Sequence, residues 1–276
     1  MNTIPNLTMA DGRKLPQIGF GLWQIQAGGE ADVVRHALQA GYPLLDGAYR
    51  YMNEKAMGEG LRASGVPREE VFITTKIWNN EQGRAAARRS VERSLRHIGV
   101  EQLDLCLIHW PVPTQDLYVE TWAELIAMRD EGLTASIGVS NFNEDHLDRL
   151  IAETGEAPAV NQIEIHPQLQ QPEMRAVNAQ RGIVTQAWTP LGNGISFNAP
   201  PVADVAKRTG KSQAQVILRW HLQLGHAFLP RSSNPERQMQ NLDIFDFELT
   251  EAEMQAMTTL DVGLRTGPDP SVFKMM

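Results

Sequence analysis

Residues 71–109 read VFITTKIWNNEQGRAAARRSVERSLRHIGVEQLDLCLIH, and the fold follows from how this stretch divides. Val71-Phe72-Ile73 and Leu105-Cys106-Leu107-Ile108 are apolar without alternation, as expected of parallel strands covered on both faces. Between them Ala87, Val91, Leu95 and Ile98 recur at helical spacing, and Gly99 follows as a helix cap. Strand, helix and strand in one short stretch make a parallel crossover unit.

The same alternation extends in both directions. Strand candidates fall at 18–21, 43–46, 71–77, 103–109, 135–140, 159–166, 183–188 and 227–231, eight in all, separated by amphipathic stretches such as Ala31-Val34-Ala37-Leu38 and Trp122-Leu125-Ile126. Gly41, Gly65, Gly99, Gly132, Gly155, Gly182 and Gly225 fall where helix C-caps belong. A right-handed crossover repeated about eight times closes an α/β (β/α)8 TIM barrel; an open, doubly wound sheet is the rival. Leu7-Thr8-Met9 and Lys14-Leu15 around Asp11-Gly12 predict an N-terminal β-hairpin, and 202–209 and 250–260 predict two extra helices. No Pro-, Ser- or Gly-rich linker divides the chain, so residues 1–276 are expected to form one domain.

Composition narrows the partners. With 42% hydrophobic and 21% charged residues, the chain has no run near the ~18 apolar residues that a membrane helix needs. A formal charge of −8 disfavours nucleic acid, whose phosphates demand a basic face. The start, Met1-Asn2-Thr3-Ile4-Pro5, lacks the basic flank and apolar stretch of a secretory signal, so the expected compartment is the cytoplasm and the expected state a monomer acting on a small molecule. Cys106, the one cysteine, excludes an intrachain disulfide and reads as buried filler; no metal site is expected.

In such a barrel the active site lies at the C-terminal ends of the strands, so polar residues closing apolar runs are the first candidates. Asp46 closes Leu44-Leu45, Tyr51 follows it, Lys76 closes Phe72-Ile73-Thr74-Thr75, and His109 closes Leu105-Cys106-Leu107-Ile108. Singly these could be an ion pair, a packed phenol and a rim histidine. Together they form a proton-delivery set: the lysine cation is expected to lower the tyrosine pKa, the aspartate to keep the lysine charged, and the histidine to orient a carbonyl oxygen. Trp23, Tyr49, Trp78 and Trp110 are expected to wall the pocket for a compact carbonyl compound. Gly58-Glu59-Gly60-Leu61-Arg62-Ala63 satisfies a loose dinucleotide fingerprint, but its glycines lie inside a helical pattern rather than at a strand-to-helix turn.

Asp46-Gly47-Ala48-Tyr49-Arg50-Tyr51-Met52-Asn53-Glu54 resembles the aldo-keto reductase signature, and so do the lysine strand 72–78, the histidine strand 104–111, and the segments 136–142 and 161–164. Within that family the likeness is to bacterial 2,5-diketo-D-gluconate reductases, through Pro190-Leu191-Gly192, Leu218-Arg219-Trp220-His221-Leu222 and the tail at Gly267-Pro268-Asp269-Pro270. The resemblance implies Tyr51 as general acid, Lys76 and Asp46 as its tuners and His109 as the carbonyl's partner. It further implies that Ser140, Asn141 and Gln162 hold a nicotinamide carboxamide, that Trp188 stacks on the ring, and that Leu191 also touches the cofactor.

The segment 230–237 opens a helix after the eighth strand, a place that favours phosphate. Arg231 and Arg237 there, with Ser232 and Asn241, resemble the family's clamp for an adenosine 2′-phosphate, which implies NADPH rather than NADH. Gly47 stands where the family usually has Thr or Ser, Arg231 where it has Lys, and Arg50 and Met52 are unusual neighbours of Tyr51. Two rivals remain at this level: a Schiff-base aldolase using Lys76, and an NADPH-binding regulatory or redox-sensing barrel with little turnover.

Overall fold

The structure, a computed structural model, describes residues 4–25 and 28–275. A hairpin of β1 (Asn6–Thr8) and β2 (Lys14–Pro16) opens the chain. Then β3 (Phe20–Gly21), β4 (Leu44–Asp46), β5 (Phe72–Ile77), β6 (Leu103–Ile108), β7 (Thr134–Ser140), β8 (Val160–Glu164), β9 (Val184–Trp188) and β10 (Ala227–Phe228) lie side by side in chain order, all parallel. Ile18 bridges Phe228, and the Gly19 and Gly21 amides donate to Phe228 O and Pro230 O at 3.0 Å, so the first and last strands meet and the sheet closes. The eight expected strands are those found, and the open-sheet rival falls.

Helices α1 (Glu30–Ala40), α2 (Glu54–Ser64), α3 (Arg84–Ile98), α4 (Tyr118–Asp130), α5 (Glu144–Thr154) and α6 (Pro172–Gln180) each follow one of β3 to β8. Helix α7 (Pro200–Thr209) is the first of the two extra helices, α8 (Gln213–Gln223) and α9 (Pro235–Leu242) complete the outer ring, and α10 (Glu251–Thr258) is the second extra helix. Gly58 and Gly60 fall inside α2. A Cβ on Gly58 would lie 1.9 Å from Ile98 O, and one on Gly60 would lie 2.5 Å from Ala31 O. These glycines let α2 press against its neighbours, which accounts for the apparent dinucleotide fingerprint.

Strand alternation positions the site. Register pairs Asp46 with Thr74, Lys76 with Leu107, Ser140 with Gln162, Gln162 with Gln186, and Glu164 with Trp188, so these residues share one face of the sheet. That face turns inward. Its lower layer is aliphatic, with Leu44, Leu105, Leu107, Val160 and Ala227 packed on Met9 and Leu15 from the hairpin, which floors the barrel. Ser136 Oγ donates to Asp11 Oδ2 of the hairpin turn at 2.5 Å. One or two pleats further along the same strands the inward residues become Asp46, Lys76, His109, Gln162 and Glu164. The outward residues Ile73, Cys106, Ile108, Ile137 and Val139 join the main core beneath the helices, which is why the runs read as apolar without alternation. Cys106 is free and fully buried, and burial pushes its thiol pKa up, so it is filler as expected.

A buried histidine pair braces the loop after β9. His221 of α8 points Nε2 at Pro190 O (2.9 Å), so Nε2 carries the proton. His221 Nδ1 then accepts from His226 Nε2 at 2.6 Å, which leaves His226 Nδ1 without a partner among the described residues. Burial is the main force that lowers both pKa values, His221 to about 3 and His226 well below the usual range. Both rings are neutral when folded, whereas the unfolded chain protonates them below the ordinary value of 6.5. Their contribution is therefore intact above that pH, and stability is expected to fall below it by roughly 1.4 kcal/mol per ring per pH unit. Thermal melts from pH 7 to 4.5 check this; a His221→Gln, His226→Gln double variant with an unchanged slope would refute it.

Candidate active site

The inward strand ends bring the quartet together. Lys76, fully buried on β5, donates from Nζ to Asp46 Oδ1 at 2.5 Å and to Gly47 O at 3.1 Å. The second carboxylate oxygen of Asp46 accepts from Gln162 Nε2 at 2.8 Å. After β4 the chain makes a short 3-10 turn, Tyr49–Tyr51, closed by Met52 in the left-handed region at φ 61°. This turn lays the Tyr51 ring over the lysine, with Nζ 5.0 Å from the ring centroid, and brings the phenolic oxygen to 3.3 Å from His109 Nε2. Trp23 packs on Tyr51 at 4.8 Å between centroids, and Trp78 meets His109 edge-on at 5.0 Å.

The electrostatics differ from the expected pattern in one respect. Burial raises the Tyr51 pKa by more than Lys76 lowers it, so the phenol ends above its ordinary value, not below it. The correction suits a proton donor, because the phenol stays loaded at neutral pH while the lysine still favours the phenolate left behind. At Lys76 burial disfavours the cation, but the Asp46 carboxylate, through its charge and its hydrogen bond, leads the effects that outweigh it, and the amine stays protonated. A protonated amine is no nucleophile, so the Schiff-base rival loses its premise. Burial, followed by the Lys76 and Arg50 charges, drives the His109 pKa well down, and the imidazole is neutral.

Above the quartet lies a cavity of about 870 Å³. Asp46, Tyr51, His109, Ser140, Asn141, Gln162, Trp188, Leu191, Trp23, Trp78 and Trp110 all line it, and Lys76 lies directly behind Asp46. Ser140 Oγ donates to Gln162 O, Asn141 Nδ2 donates to His109 O, and Trp188 Nε1 donates to Asn141 Oδ1, all within 3.1 Å. Asn141 and Thr189, at the ends of β7 and β9, have φ of 62° and 49°, a left-handed conformation that a β-branched threonine seldom adopts. Strain of this kind concentrates at functional clefts.

The structure adds a roof that the sequence did not reveal. Glu164, buried at the end of β8, accepts from Thr266 N (2.7 Å), Thr266 Oγ1 (2.5 Å), Gly267 N (3.2 Å) and His166 Nε2 (3.2 Å). Burial favours its neutral form, but the bonds from His166 and Thr266 prevail and hold its pKa below the ordinary value. The tail thus fixed passes so close to Trp188 that a Cβ on Gly267 would lie 2.4 Å from the indole. It continues to Phe273, tilted against Trp110 with ring centroids 4.3 Å apart, and to Met275, whose carbonyl accepts from Asn79 Nδ2 at 2.6 Å. A Pro- and Gly-rich tail with one phenylalanine carries no periodic signal that would have marked it.

At the other end of the cavity Arg231, Ser232, Asn234 and Arg237 line the start of α9, where Asn234 Oδ1 caps the Arg237 amide at 3.0 Å. Arg231 bonds only a neutral side chain, Gln24 Oε1, at 3.0 Å, and neither arginine has a carboxylate partner among the described residues. Two expected residues fall elsewhere. Tyr49 does not reach the cavity: its ring lies 3.4 Å beneath the Arg93 guanidinium and 6.0 Å from His97, because residues two apart in a three-residue turn point to different sides. Asn241 is buried on α9, where its amide serves the Tyr42 hydroxyl. Among the described residues no helix is long and apolar enough to cross a membrane, and no His, Cys, Asp and Glu group could hold a metal.

A family model described as Aldo/keto reductase family matches residues 17–262. The chain is 48% identical over 269 residues to a protein named aldo-keto reductase from Mycolicibacterium smegmatis, covering 98% of each. It is 45% identical over 276 residues to a methylglyoxal reductase DkgA from Yersinia pestis, covering 99% of each. Among solved structures it superposes with a TM-score of 0.95 on Gox0644, both as the apo form and as a mutant in complex with NADPH, at 41% identity over 99% of this chain and 100% of that one.

Proposed function

This chain belongs to the aldo/keto reductase family, and from that premise we propose that Tyr51 delivers the proton while the enzyme reduces a small ketone or aldehyde to an alcohol with NADPH. One observation carries the assignment: a phenol 3.3 Å from a neutral imidazole, backed by a buried, charged lysine, at the floor of a cavity that ends in two arginines without acidic partners.

The residues fit the cofactor. Gln162 has both amide hydrogens committed, to Asp46 and Gln186 at 2.8 Å, which leaves its Oε1 to accept from a carboxamide. Trp188, held by Asn141, offers a ring face to a nicotinamide. Arg231 and Arg237 at the positive end of α9 match an adenosine 2′-phosphate, for which fork-shaped donors suit best. When bound, NADPH supplies a hydride to the carbonyl carbon.

The chain's own residues do the rest. A carbonyl oxygen seated between Tyr51 and His109 accepts from the phenol and from an imidazole protonated at Nε2, which polarises the C=O. Tyr51 then gives up its proton to that oxygen. The phenolate that remains is held by Lys76, whose own charge is secured by Asp46, until solvent reloads it through the cavity. The Glu164-bound tail, with Trp110 and Phe273, keeps water from the reacting carbon. The proposal extends to one domain over residues 1–276, acting in the cytoplasm as a monomer; the unbroken strand order from β3 to β10 supports the single domain.

The test is loss of NADPH absorbance with methylglyoxal and a panel of ketones and aldehydes, beside NADH; a panel with no turnover would defeat the proposal. Arg237→Ala is expected to weaken NADPH about tenfold or more, the scale of a lost charge-assisted contact, and to leave NADH nearly unchanged. Fluorescence titration reads both affinities, and equal losses would remove the phosphate assignment.

A further inference from the structure

Arg50 remains outside the mechanism. It directly precedes Tyr51, is exposed, and lines the cavity on the Trp78 side. Its guanidinium carbon lies 5.3 Å from the centroid of the Trp78 ring, the same ring that meets His109 at 5.0 Å. The cation is therefore fixed one indole away from the group that receives the carbonyl.

Several arginines of the chain are already paired with acids: Arg88, Arg149, Arg181 and Arg208 each hold one or more carboxylates. Among the described residues no Asp or Glu pairs with Arg50, and Asp46, the one carboxylate lining the cavity, is committed to Lys76. A guanidinium stacked on an aromatic face keeps its N–H edge free, and that edge matches the two oxygens of a carboxylate. The surrounding walls, Trp23, Trp78, Trp110 and Phe273, form a slot suited to a flat group.

We propose that Arg50 is the carboxylate-recognition residue of the substrate pocket, and that the preferred substrates are carbonyl compounds bearing a carboxylate a few bonds from the reacting C=O. The proposal rests on the reductase function above and names its substrate class. No covalent step is added: the carboxylate is held and the carbonyl is reduced as described.

The experiment compares 4-formylbenzoate with its methyl ester, equal in shape around the aldehyde but differing in charge, at saturating NADPH. In the wild type kcat/KM is expected to favour the acid. Arg50→Leu should lower the acid-to-ester ratio about 30-fold, chiefly through KM, as removal of a charge-assisted pair predicts, and Arg50→Lys should recover part of it. In parallel, calorimetry of benzoate binding to the NADPH complex should show a similar loss in Arg50→Leu. If Arg50 only packs on Trp78, acid and ester fall together. An unchanged ratio or unchanged benzoate affinity overturns the assignment while ester reduction leaves the reductase function standing. If the wild type reduces neither aldehyde, the reductase function fails, and the benzoate titration, which needs no turnover, still decides the role of Arg50.

Discussion

Tyr51→Phe is expected to lower kcat for carbonyl reduction about a thousandfold and to shift the dissociation constant for NADPH by less than twofold. The change deletes one oxygen and keeps the ring, so the packing on Trp23 at 4.8 Å, the lysine over its face at 5.0 Å and the edge contact with His109 at 5.5 Å all survive. What disappears is the proton, and a positioned donor contributes roughly 10²- to 10⁴-fold. Neutral His109 cannot replace it: with its pKa driven well down, the ring gives up a proton only at the cost of an imidazolate anion. Steady-state rates beside a fluorescence titration of NADPH make the check. A variant that keeps more than a tenth of wild-type kcat would remove Tyr51 from the role.

The second large effect is expected in both stability and rate. Lys76→Met should destabilise the fold by about 3–5 kcal/mol, the range for a buried ion pair that loses one partner. Asp46 would keep only the Gln162 amide, at 2.8 Å, as side-chain partner at a position almost wholly buried. Adding Asp46→Asn to Lys76→Met should restore most of the stability, since no charge is then stranded, but none of the activity, since the phenolate loses its cation. Urea unfolding of the single and double variants separates the two. A single variant within about 1 kcal/mol of wild type would mean the pair is solvated and the site wetter than the structure implies.

The sequence carried the barrel because each strand announced itself twice, by an apolar run and by the capped helix after it. It carried the quartet because polar residues closing such runs must face the interior or the mouth. Asp46, Lys76 and His109 follow that logic. Tyr51 needed the family likeness as well, because it stands on a 3-10 turn and no strand register fixes it. The same turn misled over Tyr49: an aromatic near a strand end was expected to wall the pocket, while the three-residue repeat sent its ring under Arg93. Asn241 was named only through the family likeness, which does not show that its place on α9 is already inside the core.

The tail was illegible for a different reason. Its place is set by bonds to Glu164, far away in the chain, and by fit against Trp188, neither of which leaves a local pattern. The Tyr51 pKa was misjudged because charges can be read from a sequence, whereas the depth of burial that opposes them cannot.

Leu44 and Asp46, or Leu107 and His109, are neighbours on one face only because an even number of peptide steps separates them. Removal of a single residue from β6 would swing Ile108 into the cavity and send the imidazole out among the helices, a change that no compensating side chain could mend. The strands therefore tolerate letter-for-letter exchange but no frameshift of even one position.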